Sequence, residues 1–360
     1  MDKIKLLIID DSALIRQMLT KIFATSDEIE VVGTAVDPIA ARDKIKRLNP
    51  DVLTLDVEMP RMNGLTFLRN LMRLRPMPVV MISALTDKGA AVTLEALELG
   101  AVDFVAKPKG DASNSLNEYA DDIIAKVKMA AKAHVRTLNV QPKVTRSIPT
   151  ASEKHSADVI LQASPARKHF KTTDKIIALG SSTGGIEALK EVVIGLPNNA
   201  PAMVVAQHLP AAFSESFAKH VNEVTDMTAC LAKHGQQILP GNIYIAPGDK
   251  HLLIIRDGAK YVCQLNDGPP VNRHKPSVEV MFRSVAQNVG GNAIGVMLTG
   301  MGVDGAVAMK EMKDAGAVNI VQDKATSVVW GMPGEAFKLG AADYVVPLDK
   351  VATQIMALAR

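Results

Sequence analysis

Short apolar runs alternate with amphipathic stretches along most of the chain. In the first third, Lys5 to Ile9, Glu30 to Ala35, Val52 to Leu55, Val79 to Ile82 and Asp103 to Val105 are brief and mostly apolar, which predicts strands. Between them "LIRQMLTKIF", "ARDKIKRL", "LTFLRNLMRL" and "AVTLEALELG" space their apolar residues as helices do, and a longer helix is expected from about Leu116 to Ala133. Five such βα units within residues 1–130 predict a flavodoxin-like, doubly wound five-stranded parallel sheet. From Ile176 the alternation resumes with "IIALG", "AMVVAQH", "IYIAP", "HLLIIRD", "AIGVMLTG", "VNIVQD" and "DYVVP", separated by helical stretches such as "GIEALKEVVIG" and "PSVEVMFRSVAQNV". Residues 173–360 therefore form a second α/β domain with a mainly parallel sheet, and "HLLIIRD" meets "YVCQL" in a hairpin across Gly258.

Residues 131–172 show no sustained period. They are rich in Ser and Thr and include three prolines, so a flexible, extended linker is expected. Charge supports that division. From His134 to Lys175 eight Lys/Arg face three Asp/Glu, a net of +5, which leaves −2 for the remainder of a chain whose overall charge is +3. The basicity belongs to the linker, and no basic recognition helix follows it, so a DNA-binding output is not expected. No apolar run reaches the roughly 18 residues of a membrane span, and "MDKIKLLIIDDS" lacks a signal-peptide pattern, so the chain is read as cytoplasmic and monomeric, without nucleic-acid or membrane partners. Two cysteines, Cys230 and Cys263, are too few for a disulfide framework or a zinc site and are read as packing residues.

In doubly wound sheets the reactive groups gather beyond the carboxyl ends of the strands. There the first domain places Asp10 and Asp11, Asp56, Ser83 and Lys107. Three crowded carboxylates repel one another unless a cation joins them, and a hard oxygen site with few protein ligands suits Mg²⁺. A carboxylate beside a metal and a lysine is also placed to attack a phosphoryl group. In the second domain "LGSSTGGIEA" lacks the spacing of a dinucleotide fingerprint or a P-loop but contains G-x-S-x-G, with Ser182 between Gly180 and Gly184. A serine needs a base and an orienting acid. His208 directly follows the apolar run "AMVVAQ", and Asp304 follows "GVMLTGMGV", so both are expected at the sheet edge that carries Ser182, although Asp304 taken alone reads as a cap for the helix after it. The basic segment "NRHKP" is open to two readings, a patch that faces an acidic partner or a solvated loop.

"IIDDS", "LDVEMPRMNGL", "VVMISA" and "DFVAKP" resemble the receiver domain of two-component response regulators. The resemblance implies phosphorylation of Asp56 by a histidine kinase, Mg²⁺ held by Asp10, Asp11, Asp56 and the Glu58 carbonyl, phosphoryl contacts from Ser83 and Lys107, and an aromatic switch at Phe104. "IALGSSTGG", "QHLP", "RHKPSVEVMF", "GVMLTGMGVDGA", "SVVWGMPGEA" and "AADYVVPL" resemble the catalytic domain of chemotaxis protein-glutamate methylesterases. That resemblance implies Ser182 as nucleophile, His208 as base, Asp304 as its orienting acid, and oxyanion-hole amides at Thr183 and Met301. It also implies hydrolysis of glutamyl 5-methyl esters on methyl-accepting chemotaxis receptors, with deamidation of receptor glutamines, and no cofactor for the esterase step. The rival function class is a phosphorylation-controlled binding module without catalysis.

Overall fold

Strands β1 (Ile4–Ile9), β2 (Ile29–Ala35), β3 (Val52–Asp56), β4 (Val79–Ser83) and β5 (Asp103–Ala106) alternate with helices α1 (Ala13–Ala24), α2 (Pro38–Leu48), α3 (Gly64–Leu74), α4 (Asp87–Glu98) and α5 (Ser113–Ala130). Leu6 to Ile9, Val52 to Leu55 and Val79 to Ile82 are almost wholly buried, as strands covered by helices on both faces must be. The sheet order is β2-β1-β3-β4-β5, all parallel. Local chemistry sets the helix starts: Ser12, Asp37 and Asn63 each accept a backbone N–H three residues on, and Pro38 opens α2. The computed structural model describes residues 3–59, 62–83, 87–107, 113–133, 155–163 and 175–360, and divides into two units, Met1–Gln141 and Pro142–Arg360.

The second unit contains β6 (Ile176–Ser181), α6 (Gly185–Ile194), β7 (Ala202–Gln207), α7 (Ala211–Val224), β8 (Thr228–Leu231) and β9 (Asn242–Ile245). The hairpin of β10 (His251–Asp257) and β11 (Lys260–Asn266) follows, turning at Gly258 as expected. Then come α8 (Val278–Asn288), β12 (Ala293–Met297), α9 (Ala306–Asp314), β13 (Val318–Gln322), α10 (Met332–Lys338), β14 (Tyr344–Val346) and α11 (Leu348–Ala359). Seven parallel strands run in the order β14-β13-β12-β6-β7-β9-β8. The chain leaves β6 toward β7 and later returns to β12 on the other side of β6, so the strand order reverses at β6. Ligand crevices form at such a switch point.

Helix α8 lies on the β6–β7–β12 face beside α9, and every residue from Val278 to Ala286 is buried. Phe282, fully buried, reaches Gly180 at the end of β6, where a Cβ would lie 3.2 Å from its ring. Phe282→Ala is expected to destabilise the second unit by about 3–5 kcal/mol through the cavity it leaves, read as a lower denaturant midpoint for that unit.

Part of the stretch expected to be a linker is described. Within residues 131–172, Ala131 to Ala133 form a turn after α5, and residues 155–163 contain a single 3-10 turn (Ala157–Val159) against α8. The reason is chemical: Ala157 is buried beside Val271 and Val280, and Asp158 pairs with Arg283. Residues 134–154 and 164–174, which carry the rest of that expectation, lie outside the described residues.

Candidate active site and phosphorylation site

In the first unit the strand ends bring together the residues that the sequence singles out. Asp10 follows β1, Asp56 ends β3, Ser83 ends β4 and Lys107 follows β5. Carboxylate oxygens of Asp10, Asp11 and Asp56 all lie within 4.8 Å of one another. Asp10 and Asp56 are buried, Asp11 is exposed, and Lys107 Nζ stands 2.8 Å from Asp56 Oδ2 and 3.4 Å from Asp10 Oδ2. Burial pushes the Asp56 carboxyl up to about 6 against the opposing pull of Lys107, with Asp10 raising it further. Asp10 is likewise raised by burial. One ammonium is thus shared between two desolvated carboxylates, and a divalent cation held by Asp10, Asp11 and Asp56 would supply the missing positive charge. Glu58 is exposed and its N–H donates to Asp56 Oδ1 at 3.4 Å, so its backbone adjoins the cluster. Phe104 is buried in β5, with Lys126 Nζ 5.5 Å from its ring.

In the second unit Ser182, His208 and Asp304 come from three neighbouring strand ends, those of β6, β7 and β12. The turn after β6 is tight: Gly185 N–H donates to Ser182 O at 2.7 Å, and Gly184 sits at φ +74°. The main chain at Ser182 is tied on both sides, its N–H to Thr299 O at 3.1 Å and its carbonyl accepting from Gln207 Nε2 at 2.9 Å. Gln207 Oε1 in turn accepts from Ser181 Oγ at 2.6 Å. His208 N–H donates to Ser181 O at 3.3 Å, which sets the histidine backbone beside the serine turn. Thr183 is buried, and its carbonyl accepts from Thr299 Oγ1 at 3.0 Å. Met301 is half-buried in the turn after β12.

Asp304 is the most heavily bonded group of the site. Oδ2 lies 2.9 Å from His208 Nε2 and accepts from Val278 N at 2.7 Å, while Oδ1 accepts from Ser277 Oγ at 2.8 Å, Asn272 Nδ2 at 2.9 Å and Glu279 N at 3.4 Å. It does not cap its own helix; the residue before α9 is Gly305, without a side-chain cap. It sits instead on the N-terminus of α8, whose N–H groups favour an anion. Burial alone would raise its carboxyl, but the hydrogen bond and charge of His208, with His274 and Asn272, hold it below the usual carboxylate range. An ionised acid fixed on Nε2 makes that nitrogen the proton carrier, so Nδ1, buried and without a hydrogen bond, is left as the basic nitrogen.

Several participants have no signal of their own in the sequence. Val271 and His274 exchange backbone hydrogen bonds across Asn272 and Arg273, both at positive φ (50° and 72°), a hairpin-type turn. For Arg273 that conformation costs on the order of 1–3 kcal/mol. The turn delivers Asn272 to Asp304, and His274 stacks on His208 with ring centroids 3.7 Å apart and planes 10° from parallel. So "NRHKP", open between two readings in the sequence, is part of the site, with Lys275 Nζ donating to Asp267 O at 3.1 Å. Buried His251 supports it from below: its Nδ1 accepts from Ser277 N at 3.2 Å and its Nε2 lies 3.0 Å from Pro269 O. These bonds require the neutral ring, and burial holds its pKa down. Glu279, whose carboxyl burial and Asp304 push up to about 7, receives N–H groups from Gly305 and Ala308 at the start of α9.

Taken together, these features define a class: a receiver unit joined to an α/β unit that carries a serine, a histidine and a buried aspartate at its switch point. Comparison with known proteins gives the family. The model of the response regulator receiver domain matches residues 6–119, and that of the CheB methylesterase matches residues 177–355. A protein-glutamate methylesterase/protein-glutamine glutaminase of Hydrogenovibrio crunogenus is 56% identical over 373 residues, covering 99% of each chain. One of Xanthomonas euvesicatoria pv. vesicatoria is 58% identical over 99% of this chain and 97% of its own. The crystal structure of the Thermotoga maritima CheB methylesterase catalytic domain, 36% identical, aligns over 52% of this chain and all of its own with a TM-score of 0.51. The chain belongs to the CheB methylesterase family, with a receiver domain ahead of the esterase domain.

Proposed function

We propose that this protein hydrolyses glutamyl 5-methyl esters on methyl-accepting chemotaxis receptors, deamidates receptor glutamines by the same path, and is switched on by phosphorylation of Asp56 from a histidine kinase. The observation that carries the reading is His208, bound through Nε2 to an ionised, buried Asp304, with Nδ1 unbonded and its backbone N–H donating to Ser181 O, next to Ser182. In this reading Ser182 Oγ attacks the ester carbonyl while His208 Nδ1 takes its proton. The oxyanion is received by the Thr183 and Met301 amides, donors of a kind worth roughly 3–4 kcal/mol each where measured. Collapse expels methanol, protonated by His208, and a water activated by the same nitrogen then frees the glutamate. A primary amide follows the identical path with ammonia leaving, which joins the two activities in one site.

In the receiver, Asp10, Asp11, Asp56 and the Glu58 carbonyl would hold Mg²⁺, which neutralises charge on the transferring phosphoryl group; Asp56 is the acceptor, and Ser83 and Lys107 bind the phosphoryl oxygens. Phe104 is the aromatic that follows the change. Among the described residues no helix is long and apolar enough to cross a membrane, which suits an enzyme working from the cytoplasm on the cytoplasmic helices of receptors. A binding module without catalysis would need neither an ionised Asp304 nor an unbonded histidine nitrogen. The deciding experiment is methanol release from methylated receptor membranes with and without a small phosphodonor. Release is expected to rise roughly 5- to 150-fold with phosphodonor, the range of a typical coupling between sites; no release in either condition refutes the proposal.

A further inference from the structure

We infer that residues 155–163, ahead of β6 in the second unit, are a positioning strap of the active site: they hold the turn at residues 271–274 in the strained form that presents Asn272 to Asp304 and His274 to His208. The inference rests on the triad reading above. A turn with a positive φ at Arg273 does not keep that shape by its own preference and must be held by its surroundings. The strap does this at three levels. His155 O accepts the Asn272 N–H at 3.1 Å, a bond made to the middle of the turn. Ala157, Ile160 and Leu161 pack with Val271, Leu253 and Val280, so the first residue of the turn is fully buried under strap side chains. Ile160 also fills the space above Gly268, where a Cβ would lie 2.0 Å from its Cδ1, and so packs against the loop that leads into the turn.

The strap is itself anchored to the core. Arg283, buried on α8, donates from Nη1 to Asp158 Oδ1 at 2.9 Å and to Leu161 O at 3.2 Å, and its other nitrogens grip Glu311. Gln287 Nε2 donates to Gln162 O at 2.8 Å. Asp158 is fixed in place by the Ser156 hydroxyl at 2.6 Å and the Ala163 N–H at 3.2 Å. Two of these contacts are ionic or charge-assisted and end on a buried guanidinium, so the strap has one defined seat. A line of direct contacts then runs from α8 through the strap to the turn, and from the turn to both members of the His208–Asp304 pair. Asn272 and the strap residues touch no reacting atom; their role is positioning.

The test uses the full chain, methylated receptor membranes and a saturating phosphodonor, following methanol release and thermal unfolding in parallel. Asn272→Gly keeps a residue suited to positive φ and removes only the amide, and it is expected to lower kcat roughly 10- to 100-fold with KM within about twofold, as loss of an orienting partner does. Ile160→Ala is expected to lower kcat about 3- to 10-fold, with Ile160→Val restoring most of it, and the double variant Ile160→Ala, Asn272→Gly should lose less than the product of the single losses. Asp158→Asn, at an exposed position, provides the same reading should Ile160→Ala fail to fold. Strap variants that lower the unfolding temperature while kcat stays at the wild-type value would overturn the inference and leave residues 155–163 as packing alone. Ser182→Ala runs beside them: if it retains turnover, the triad reading fails, whatever the strap variants do.

Discussion

Ser182→Ala is expected to fold normally and to lose methanol release by on the order of 10⁴-fold or more, because a nucleophile and its base act as a unit and the variant has no oxygen for His208 to deprotonate. What remains would come from the oxyanion donors and from binding alone. Folding should survive, since the main chain of Ser182 ties the turn in place, its N–H donating to Thr299 O and its carbonyl accepting from Gln207. Ser181→Ala is the informative neighbour. Its hydroxyl is buried on Gln207 Oε1, and Gln207 in turn holds the Ser182 carbonyl. Removing it leaves a buried acceptor unpaired, a cost of about 1–3 kcal/mol that falls on stability and on the turn, not on the chemistry itself. The pair therefore separates a chemical serine from a structural one a single residue away. Retention of more than about a tenth of the wild-type turnover by Ser182→Ala would move the nucleophile elsewhere.

The frame of the molecule was readable because its signals are local. A strand covered on both faces is a short apolar run, and such runs announce β1, β3, β4, β6, β7 and β12 directly. The strand ends then followed, and with them Asp10, Asp56 and Lys107 in one unit and Ser182, His208 and Asp304 in the other, because a parallel sheet gathers its carboxyl ends on one edge. What surrounds Asp304 was not readable. Asn272, Ser277 and the first N–H groups of α8 reach it across 25 to 32 residues of sequence, through a turn whose positive φ values have no Asn-Gly signature. Asp304 before a helix reads as a cap for that helix, and only the packing of α8 beside α9 turns it toward the other. Residues 155–163 were hidden for a related reason: the segment is too short to show a period, and Asp158 finds Arg283 only in the fold. Arg283 and Glu279 on α8 look like the polar face of an amphipathic helix, yet both are buried, because the hairpin β10–β11, α9 and the strap cover the face that would otherwise be wet.

Asp56→Asn is expected to abolish Mg²⁺-dependent, acid-labile labelling by acetyl phosphate, since an amide has no carboxylate to attack phosphorus. The loss should far exceed that of Asp11→Asn, which keeps the acceptor and removes an exposed oxygen from the cation cluster. The burial of Asp56 adds a second, independent reading. Its carboxyl is pushed up to about 6 from 3.8, so the folded protein binds a proton that the unfolded chain has released. Stability from this group is thus fully present below the unfolded value near 3.8 and is lost as pH rises through about 6, where the buried carboxylate must carry its charge next to Asp10. Asparagine removes that penalty. Without divalent cations, the unfolding temperature of the first unit in Asp56→Asn should rise relative to wild type between pH 4.5 and pH 7.5, a pH range set on either side of about 6. A variant that keeps its phosphate label contradicts Asp56 as acceptor. One that loses the label but shows no pH-dependent gain in stability contradicts the account of a carboxylate strained by burial, which one lysine shared between two acids leaves short of positive charge.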